Sequence, residues 1–286
     1  MNDPQKIKIH IPPIKCQGIK SKLTPWVKET IDWEGEGKWI EPFFGSGVVG
    51  FNCATENALF CDSNPHIIGF YNAIQKGIID HQIARNFLEQ EGQKLLSSGG
   101  EYYYEVRNRF NRGKDPLDFL FLNRCCFNGM IRFNSKGGYN VPFGHKPKRF
   151  SKAYITKIVN QIIHIQKISK DRNWSFICQD FIQTLSQVTA DDFVYCDPPY
   201  AGRHVDYYNG WSTENELELH QLLDQCPARF ILSTWFGNQH RQNPLIDNLK
   251  NRFQVIKKEH FYHIGASEKN RKPMWEALVL NYTSSP

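Results

Sequence analysis

The sequence lacks any apolar run near the ~20 residues that a membrane-spanning helix requires. Its beginning, MNDPQKIKIHIPPIK, also lacks the apolar core and small-residue cleavage site of a secretion signal. Hydrophobic residues make up 40% of the 286 residues and charged residues 22%, which is typical of globular proteins. We therefore expect a cytoplasmic protein without a membrane partner, large enough for one domain that carries a substantial insertion.

A Cys-x-x-Cys pair is also missing, although the chain has eight cysteines. Several of them lie within apolar runs such as SFICQDF, a pattern that favours buried free thiols over zinc ligands or disulfides. The adjacent Cys125 and Cys126 could form a disulfide only with strain. We predict no metal site.

Positive charge is concentrated in one part of the chain. Residues 101–150 hold ten Lys or Arg against four acids, whereas the remainder has 25 residues of each sign. A basic cluster by itself is more often a solvated face than a binding site. The same segment, however, contains eleven Phe or Tyr. Cations interleaved with flat apolar rings suit phosphate contacts combined with base stacking, so this block favours a nucleic-acid partner.

The first part of the chain alternates strand and helix patterns. KWIEPFF and NALFCDSN are typical of buried strands. A glycine-rich turn leads from the first into a helical pattern, and a second helical pattern begins at Pro65. The order strand, turn, helix, strand, helix predicts a doubly wound α/β sheet.

The sheet pattern resumes after the basic block. QKLLSSGGE, at residues 93–101, predicts a loop leading into that block, and AYITKIVNQIIHIQKI beyond it predicts an amphipathic helix. Three later segments predict buried strands, namely WSFICQDF, DDFVYCDPPY and ARFILSTWF. Two more predict an antiparallel hairpin at the sheet edge, namely FQVIKKEHFYHI and MWEALVLNY. Because open α/β sheets bind ligands beyond the carboxyl ends of their strands, the glycine turn and DPPY should face one crevice.

The glycine turn contains Gly45-x-Gly47-x-x-Gly50, the letters of a dinucleotide-binding fingerprint. Asp62 follows seventeen residues after Gly45, at the end of the next predicted strand, where a carboxylate can accept hydrogen bonds from ribose hydroxyls. This arrangement fits NAD as well as any other adenosine-bearing cofactor, and the motif alone also fits a tight structural turn.

The DPPY segment favours one of these cofactors. Asp197 ends an apolar strand, and Pro198 with Pro199 fixes the backbone so that the carbonyl between them points in a set direction. Two acceptors beside the planar Tyr200 suit an aromatic amine, which has two hydrogens to donate and a ring that can stack. Holding both hydrogens frees the nitrogen lone pair for attack on a methyl sulfonium.

The motifs together resemble the Dam-type DNA adenine-N6 methyltransferases, the alpha group of the D12 class. The resemblance covers nearly the whole chain, in matching order, through IKCQGIKSKL, EPFFGSG, CDSN, FLNRCCFNGMIRFN, NVPFG and YCDPPY. It implies a Rossmann-like class I methyltransferase sheet with an inserted, mainly helical target-recognition lobe. The catalytic domain that binds S-adenosylmethionine would comprise residues 1–75 and 151–286, and the target-recognition domain residues 76–150.

The resemblance also implies a role for each matching position. The residues that would hold and methylate the adenine are Asp197, Pro198, Pro199 and Tyr200. Those that would surround the cofactor are Cys16, Lys20, Glu41, Phe43, Gly45, Gly47, Asp62, Asp180, Phe181 and Asp197, with the two glycines letting the backbone approach the methionine part. Those that would contact DNA are Lys15, Arg124, Phe127, Asn128, Met130, Arg132, Asn140 and Pro142.

In the DNA-contacting set, Phe127 would wedge into the space that a flipped base vacates, and Arg132 and Lys15 would each read a guanine. Met130 and Pro142 would touch a thymine methyl group. A simpler interpretation remains open at each position, since Phe127 and Met130 could be lobe core, and Arg132 and Lys15 could contact phosphates. The chain departs from the relatives at Cys16, where they carry Trp, at Lys146, where they often carry an aromatic residue, and after Tyr200.

The predicted function is methylation of adenine N6 in double-stranded DNA, at a site containing GAT such as GATC. We expect a monomer, with a cognate restriction endonuclease as a further candidate partner. Alternatives are a methyltransferase acting on RNA adenine or a protein amide, a DNA-binding module without activity, and an NAD dehydrogenase. The amide-modifying group usually begins its catalytic loop with Asn, so the Asp at position 197 favours adenine.

Overall fold

The structure, a computed structural model, describes residues 8–200, 211–237, 242–261 and 273–284. Within them the chain forms one seven-stranded sheet with helices around it. The strands are β1 Trp39–Glu41, β2 Asn57–Asp62, β3 Asn173–Cys178, β4 Phe193–Cys196, β5 Arg229–Gly237, β6 Gln254–Phe261 and β7 Pro273–Leu280. The helices are α1 Thr24–Thr30, α2 Gly50–Cys53, α3 Pro65–Gln75, α4 His81–Ser97, α5 Tyr102–Gly113, α6 Pro116–Cys125, α7 Lys152–Ser169, α8 Phe181–Leu185, α9 Thr213–Asp224 and α10 Ile246–Lys250.

The sheet has the order β3-β2-β1-β4-β5-β7-β6. The first five strands in that order run parallel, whereas β7 is antiparallel to both β5 and β6. The predicted α/β sheet and the antiparallel hairpin at its edge are therefore confirmed. Strand order reverses direction between β1 and β4, and such a switch point opens a crevice at the carboxyl ends of the two strands.

Local sequence explains where two of the longer helices, α3 and α7, begin. The Asn64 side chain accepts a hydrogen bond from the backbone N–H of His66, and Pro65 follows at the first helical position of α3. Ser151 caps α7 in the same way, by accepting from the backbone N–H of Tyr154. The predicted amphipathic helix is confirmed as α7, whose apolar face includes Ile155, Ile158 and Ile162.

Two sequence expectations are wrong. Residues 93–101 are not a loop throughout, because α4 continues to Ser97 and keeps its buried face through Leu88, Gly92 and Leu95. The WSFICQDF strand is not buried on both sides. As β3 it lies at the sheet edge with α3 packed near it, so Phe176 is buried while Ile177 is 43% exposed.

The segment between α3 and α7, which contains the basic block of residues 101–150, folds as the helices α4, α5 and α6, followed by turns. The aromatic residues of this segment other than Phe127 belong to a core that is continuous with the core of the sheet, because α6 packs on α3 and α4 packs on α7. An ion cluster joins α4, α5 and α6, since Arg109, whose side chain is 44% exposed, pairs with the buried Glu91 at 2.7 Å and Asp118 at 2.5 Å. The helix packing thus attaches the segment to α3 and α7, and the ion cluster ties its three helices to one another.

The cysteines are all free, as the sequence predicts, although Cys178 is exposed rather than buried. None of the described helices is both long and apolar enough to cross a membrane.

Candidate active site

The glycine turn is tied to the end of the neighbouring strand. The backbone N–H of Phe44 donates to the Cys61 carbonyl, and that of Gly45 donates to Asp62 Oδ2, each at 2.8 Å. The other oxygen of Asp62 accepts from the backbone N–H of Asn64 at 2.8 Å. Burial raises the pKa of Asp62 to about 6 despite these two hydrogen bonds, which favour the ionised form. The turn therefore presents a buried carboxylate at the crevice.

The two glycines of the turn serve different purposes. Both have left-handed backbone angles, with φ of +51° at Gly45 and +75° at Gly47. A Cβ atom at Gly47 would lie 2.4 Å from the Phe44 ring and 2.5 Å from the Phe51 ring, so packing of the turn on the core requires this glycine. A Cβ atom at Gly45 would meet only Cys16 Sγ, at 3.9 Å. Gly45 is thus the position with room for a ligand.

Aromatic rings from three segments meet beside the turn. Phe43 and Phe181 stack with ring centroids 5.5 Å apart, and Trp211 packs edge-on against them at 5.4 and 5.5 Å. Asp180 precedes Phe181, is exposed, and caps α8 by accepting from the backbone N–H of Gln183. The predicted pair of Phe43 and Phe181 is therefore brought together. Trp211 was not predicted, because its only signal is an aromatic residue shortly before α9.

Glu41 lies beneath the turn rather than beside it. Its side chain is buried, and Oε1 accepts a hydrogen bond from Trp39 Nε1 at 2.8 Å. A Cβ atom at Gly50 would lie 2.8 Å from the same oxygen, so the carboxyl group fills the space under the start of α2. Burial raises the pKa of Glu41 well above its usual range. A direct contact between Glu41 and a cofactor stays a prediction.

The DPPY segment follows β4 and places its acid against a lysine. Lys20 Nζ lies 2.7 Å from Asp197 Oδ1 and 4.9 Å from the centroid of the Tyr200 ring. Lys20 is only 4% exposed, whereas the Asp197 side chain is 22% exposed, so this ion pair is partly shielded from water. Burial raises the pKa of Asp197, the charge of Lys20 opposes that shift, and the charge of Glu276 reinforces it. Lys20, predicted near the cofactor, thus also contacts the predicted catalytic acid.

Glu276 on β7 is a second residue that was not predicted for this site. The Tyr200 hydroxyl donates to Glu276 Oε2 at 2.7 Å, and Glu276 is fully buried. The available signal is an acid within the apolar run MWEALVL, which by itself does not indicate which residue the acid contacts.

The predicted DNA-contacting residues gather around the turn that follows α6. Phe127 is 47% exposed, which disfavours its alternative role as lobe core. Its backbone N–H donates to the Pro142 carbonyl at 2.9 Å, and the exposed Asn128 next to it has a left-handed φ of +52°. Met130 is half-buried, and its carbonyl accepts from the Tyr139 hydroxyl. The turn therefore displays Phe127 and Asn128 on a fixed backbone.

Arg132 is oriented by another predicted residue. Its Nε donates to Asn140 Oδ1 at 2.8 Å, and its terminal nitrogen donates to the Asn140 carbonyl at 3.2 Å. The backbone N–H of Asn140 in turn donates to the Arg132 carbonyl. Asn140 therefore holds the guanidinium of Arg132, whether or not it touches DNA itself.

Lys15 reaches the same region from the N-terminal segment. A Cβ atom at Gly129 would lie 2.6 Å from Lys15 Cδ, so the lysine stem runs along the turn backbone. The Asn123 side chain bonds to both the N–H and the carbonyl of Lys15, at 2.8 and 2.9 Å. Burial and the nearby Arg149 and Arg124 lower the pKa of Lys15 to about 8. Asn123 was not predicted, because its partner lies 108 residues away.

Arg124 is a buried member of the predicted DNA-contacting set. It is 4% exposed, donates to the Pro13 carbonyl at 3.0 Å and lies over the Tyr154 ring at 4.8 Å. The buried side chain thus fastens the N-terminal segment to α6, and a direct contact between Arg124 and DNA stays a prediction.

Fold and site together define a class of protein. A seven-stranded sheet in this order, with a glycine turn after β1 and DPPY after β4, is a Rossmann-like methyltransferase. A model of the D12 class N6 adenine-specific DNA methyltransferase family matches residues 17–264. The chain belongs to this family, which implies a DNA substrate and a methyl donor.

Individual relatives agree with this assignment. The chain is 35% identical to a DNA adenine methylase of Vibrio cholerae over 70% of this chain and 71% of the relative. It is 33% identical to a DNA adenine methylase of Escherichia coli K12, over 67% and 68%. It is also 28% identical to the type II methyltransferase M.FokI of Planomicrobium okeanokoites over 95% of this chain, which spans only 43% of M.FokI.

Proposed function

We propose that this protein transfers a methyl group from S-adenosylmethionine to N6 of an adenine rotated out of double-stranded DNA. One observation carries the proposal, namely the sheet order that sets the glycine turn beside DPPY. The turn follows β1 and DPPY follows β4, and these two strands are parallel neighbours in the sheet. Asp62, at the end of β2 on the other side of β1, accepts a hydrogen bond from the turn at Gly45. This arrangement supports a crevice shared by cofactor and substrate.

The residues beside the turn fit S-adenosylmethionine. Asp62 would accept hydrogen bonds from the ribose hydroxyls, and the rings of Phe43 and Phe181 offer apolar faces to the adenine ring. Gly45 leaves room near Cys16 Sγ, where a tryptophan in the relatives would occupy more space. When bound, this cofactor supplies an electrophilic methyl group on a sulfonium. NAD would also fit the acid and the turn, but family membership favours a methyl donor.

The DPPY residues would activate the target amine. The Asp197 carboxylate and the Pro198 carbonyl would accept its two hydrogens, while the Tyr200 ring would stack on the base. Accepting both hydrogens favours a tetrahedral nitrogen and stabilises the positive charge that develops on it. Lys20, 2.7 Å from Asp197, favours the ionised carboxylate, because its charge opposes the rise in the Asp197 pKa that burial causes.

For the target we propose a site containing GAT, with GATC as the leading candidate. The residues that would read it lie together, since Lys15 runs along the turn that carries Phe127, and Arg132 is held by Asn140. Residues 76–150 would form the target-recognition domain, with Phe127 wedged into the space of the flipped adenine. M.FokI is a type II methyltransferase by name, and this likeness supports a cognate restriction endonuclease as a candidate partner.

The proposal can be tested by methylating random-sequence duplex DNA with isotopically labelled S-adenosylmethionine and mapping the modified bases. We expect label on adenine N6 within one short sequence that contains GAT. Parallel reactions with RNA and with protein test the two other acceptors. Label on either of them, with none on duplex DNA, would contradict the proposal, and binding of NAD in preference to S-adenosylmethionine would contradict the cofactor.

A further inference from the structure

Glu276 is a buried carboxylate that the proposed chemistry does not use. It lies in the middle of β7, opposite Trp235 on β5 and Lys258 on β6, and its side chain is 0% exposed. Burying an acid inside a sheet opposes folding unless the acid is hydrogen-bonded. One of its partners is the hydroxyl of Tyr200, which donates to Oε2 over 2.7 Å. This short bond joins the antiparallel edge of the sheet to the catalytic segment.

The bond restrains the part of Tyr200 that matters for stacking. A tyrosine ring moves about two side-chain torsions, and tying its hydroxyl end removes most of that freedom. Lys20 Nζ lies 4.9 Å from the ring centroid and 2.7 Å from Asp197. Asp197, Lys20, Tyr200 and Glu276 thus form one chain of contacts. The ring is therefore held in a fixed place relative to the catalytic acid before any base arrives.

We propose that Glu276 is a positioning residue for methyl transfer, which fixes the Tyr200 ring in the place that receives the target base. The inference rests on the proposed function. A carboxylate suits this role better than a neutral group, because a hydroxyl donates a shorter and stronger hydrogen bond to an anion. Glutamine can still accept from the hydroxyl through its amide oxygen, so Glu276→Gln should retain part of the effect and Glu276→Ala none of it.

The test is a double-mutant cycle on the single-turnover rate of methylation, with enzyme in excess over a duplex that the wild-type protein methylates. Glu276→Ala and Tyr200→Phe should each slow transfer about tenfold, and Glu276→Gln about threefold. Glu276→Ala and Tyr200→Phe break the same hydrogen bond. The double variant should therefore transfer methyl groups no more slowly than the slower of these two single variants. Binding of S-adenosylmethionine should stay within about twofold in all of them.

Glu259→Gln is the matched control, because Glu259 is an exposed acid on the neighbouring strand β6 and should transfer at the wild-type rate. Thermal unfolding is measured for every variant. If Glu276→Ala does not fold, the cycle is run with Glu276→Gln, where adding that change to Tyr200→Phe should produce no further loss.

The results separate the two claims. Rate losses that multiply in the double variant, or single variants within twofold of wild type, would overturn the role of Glu276 while leaving the proposed function standing. Absence of methyl transfer by the wild-type protein on any duplex DNA would overturn both.

Discussion

The proposed catalytic crevice, which comprises Lys20, Asp197, Tyr200 and Glu276, holds its side chains differently from the proposed recognition surface, which comprises Lys15, Phe127, Asn128 and Arg132. In the crevice the functional side chains are buried or half-buried and bonded to one another, as Lys20 is to Asp197 and Tyr200 to Glu276. On the recognition surface, backbone hydrogen bonds fix the turn and Asn140 holds Arg132, whereas the Phe127 side chain stands 47% exposed. Charges that must act on a transition state need a fixed arrangement, whereas side chains that read DNA must be reachable by it.

The largest effect should come from the catalytic acid. Asp197→Ala removes one of the two acceptors for the amine, so we expect methyl transfer to fall at least about 1000-fold while binding of S-adenosylmethionine remains measurable. Transfer to duplex DNA and calorimetric binding are measured on the same preparations. Asp191→Ala, an exposed aspartate just before β4, is the control and should transfer normally. Wild-type turnover by Asp197→Ala would show that Asp197 is not catalytic, and the proposed crevice would then lose its defining residue.

On the recognition surface, Arg132→Ala should alter which DNA sequence is methylated rather than the rate of methyl transfer. We expect discrimination at one base pair to fall by about 1 to 3 kcal/mol, with little change in the transfer rate on the preferred site. Asn140→Ala should produce a smaller loss at the same base pair, because Asn140 accepts from Arg132 Nε and orients it. The measurement is the rate on duplexes that differ at each position of the site. An equal loss on every sequence would make Arg132 a phosphate contact.

Buried charge in the crevice also predicts a dependence on pH. The pKa of Asp62 is raised to about 6, so Asp62 takes up a proton as the pH falls through that value and then accepts ribose hydrogen bonds less well. Affinity for S-adenosylmethionine should therefore fall below pH 6, and well below that pH it should fall by about tenfold per pH unit. Calorimetric titration between pH 5 and about 8 measures the change. Asp62→Asn should bind weakly at every pH, and an unchanged acid limb in that variant would assign the proton to another group.

The sequence predicts the crevice better than it predicts the contacts that support it. The glycine turn, Asp62 and DPPY are local patterns whose positions follow from strand order, and the observed sheet brings them to one edge. Glu276 and Asn123 act on partners 76 and 108 residues away, and no local pattern encodes such distances. The burial of Arg124 could not be predicted either, because a motif match identifies a cation without indicating how far the fold buries it.

The smallest effect should come from Phe127, the residue proposed to fill the space of the flipped base. Phe127→Ala removes an exposed ring and leaves the turn intact, since the backbone N–H of residue 127 still donates to the Pro142 carbonyl. Without the ring, nothing fills the space that the flipped base leaves in the stack, so flipping should be less favourable by about 0.5 to 1 kcal/mol. We therefore expect a roughly two- to fivefold smaller fluorescence gain from a duplex with 2-aminopurine at the target. Ile163→Ala is the control, because Ile163 is an apolar residue on α7 with a similar exposure of 41%, and it should leave the signal unchanged. An unchanged signal in Phe127→Ala itself would show that the exposed ring plays no part in flipping, and the contrast between the two regions would then concern only Arg132 and its neighbours.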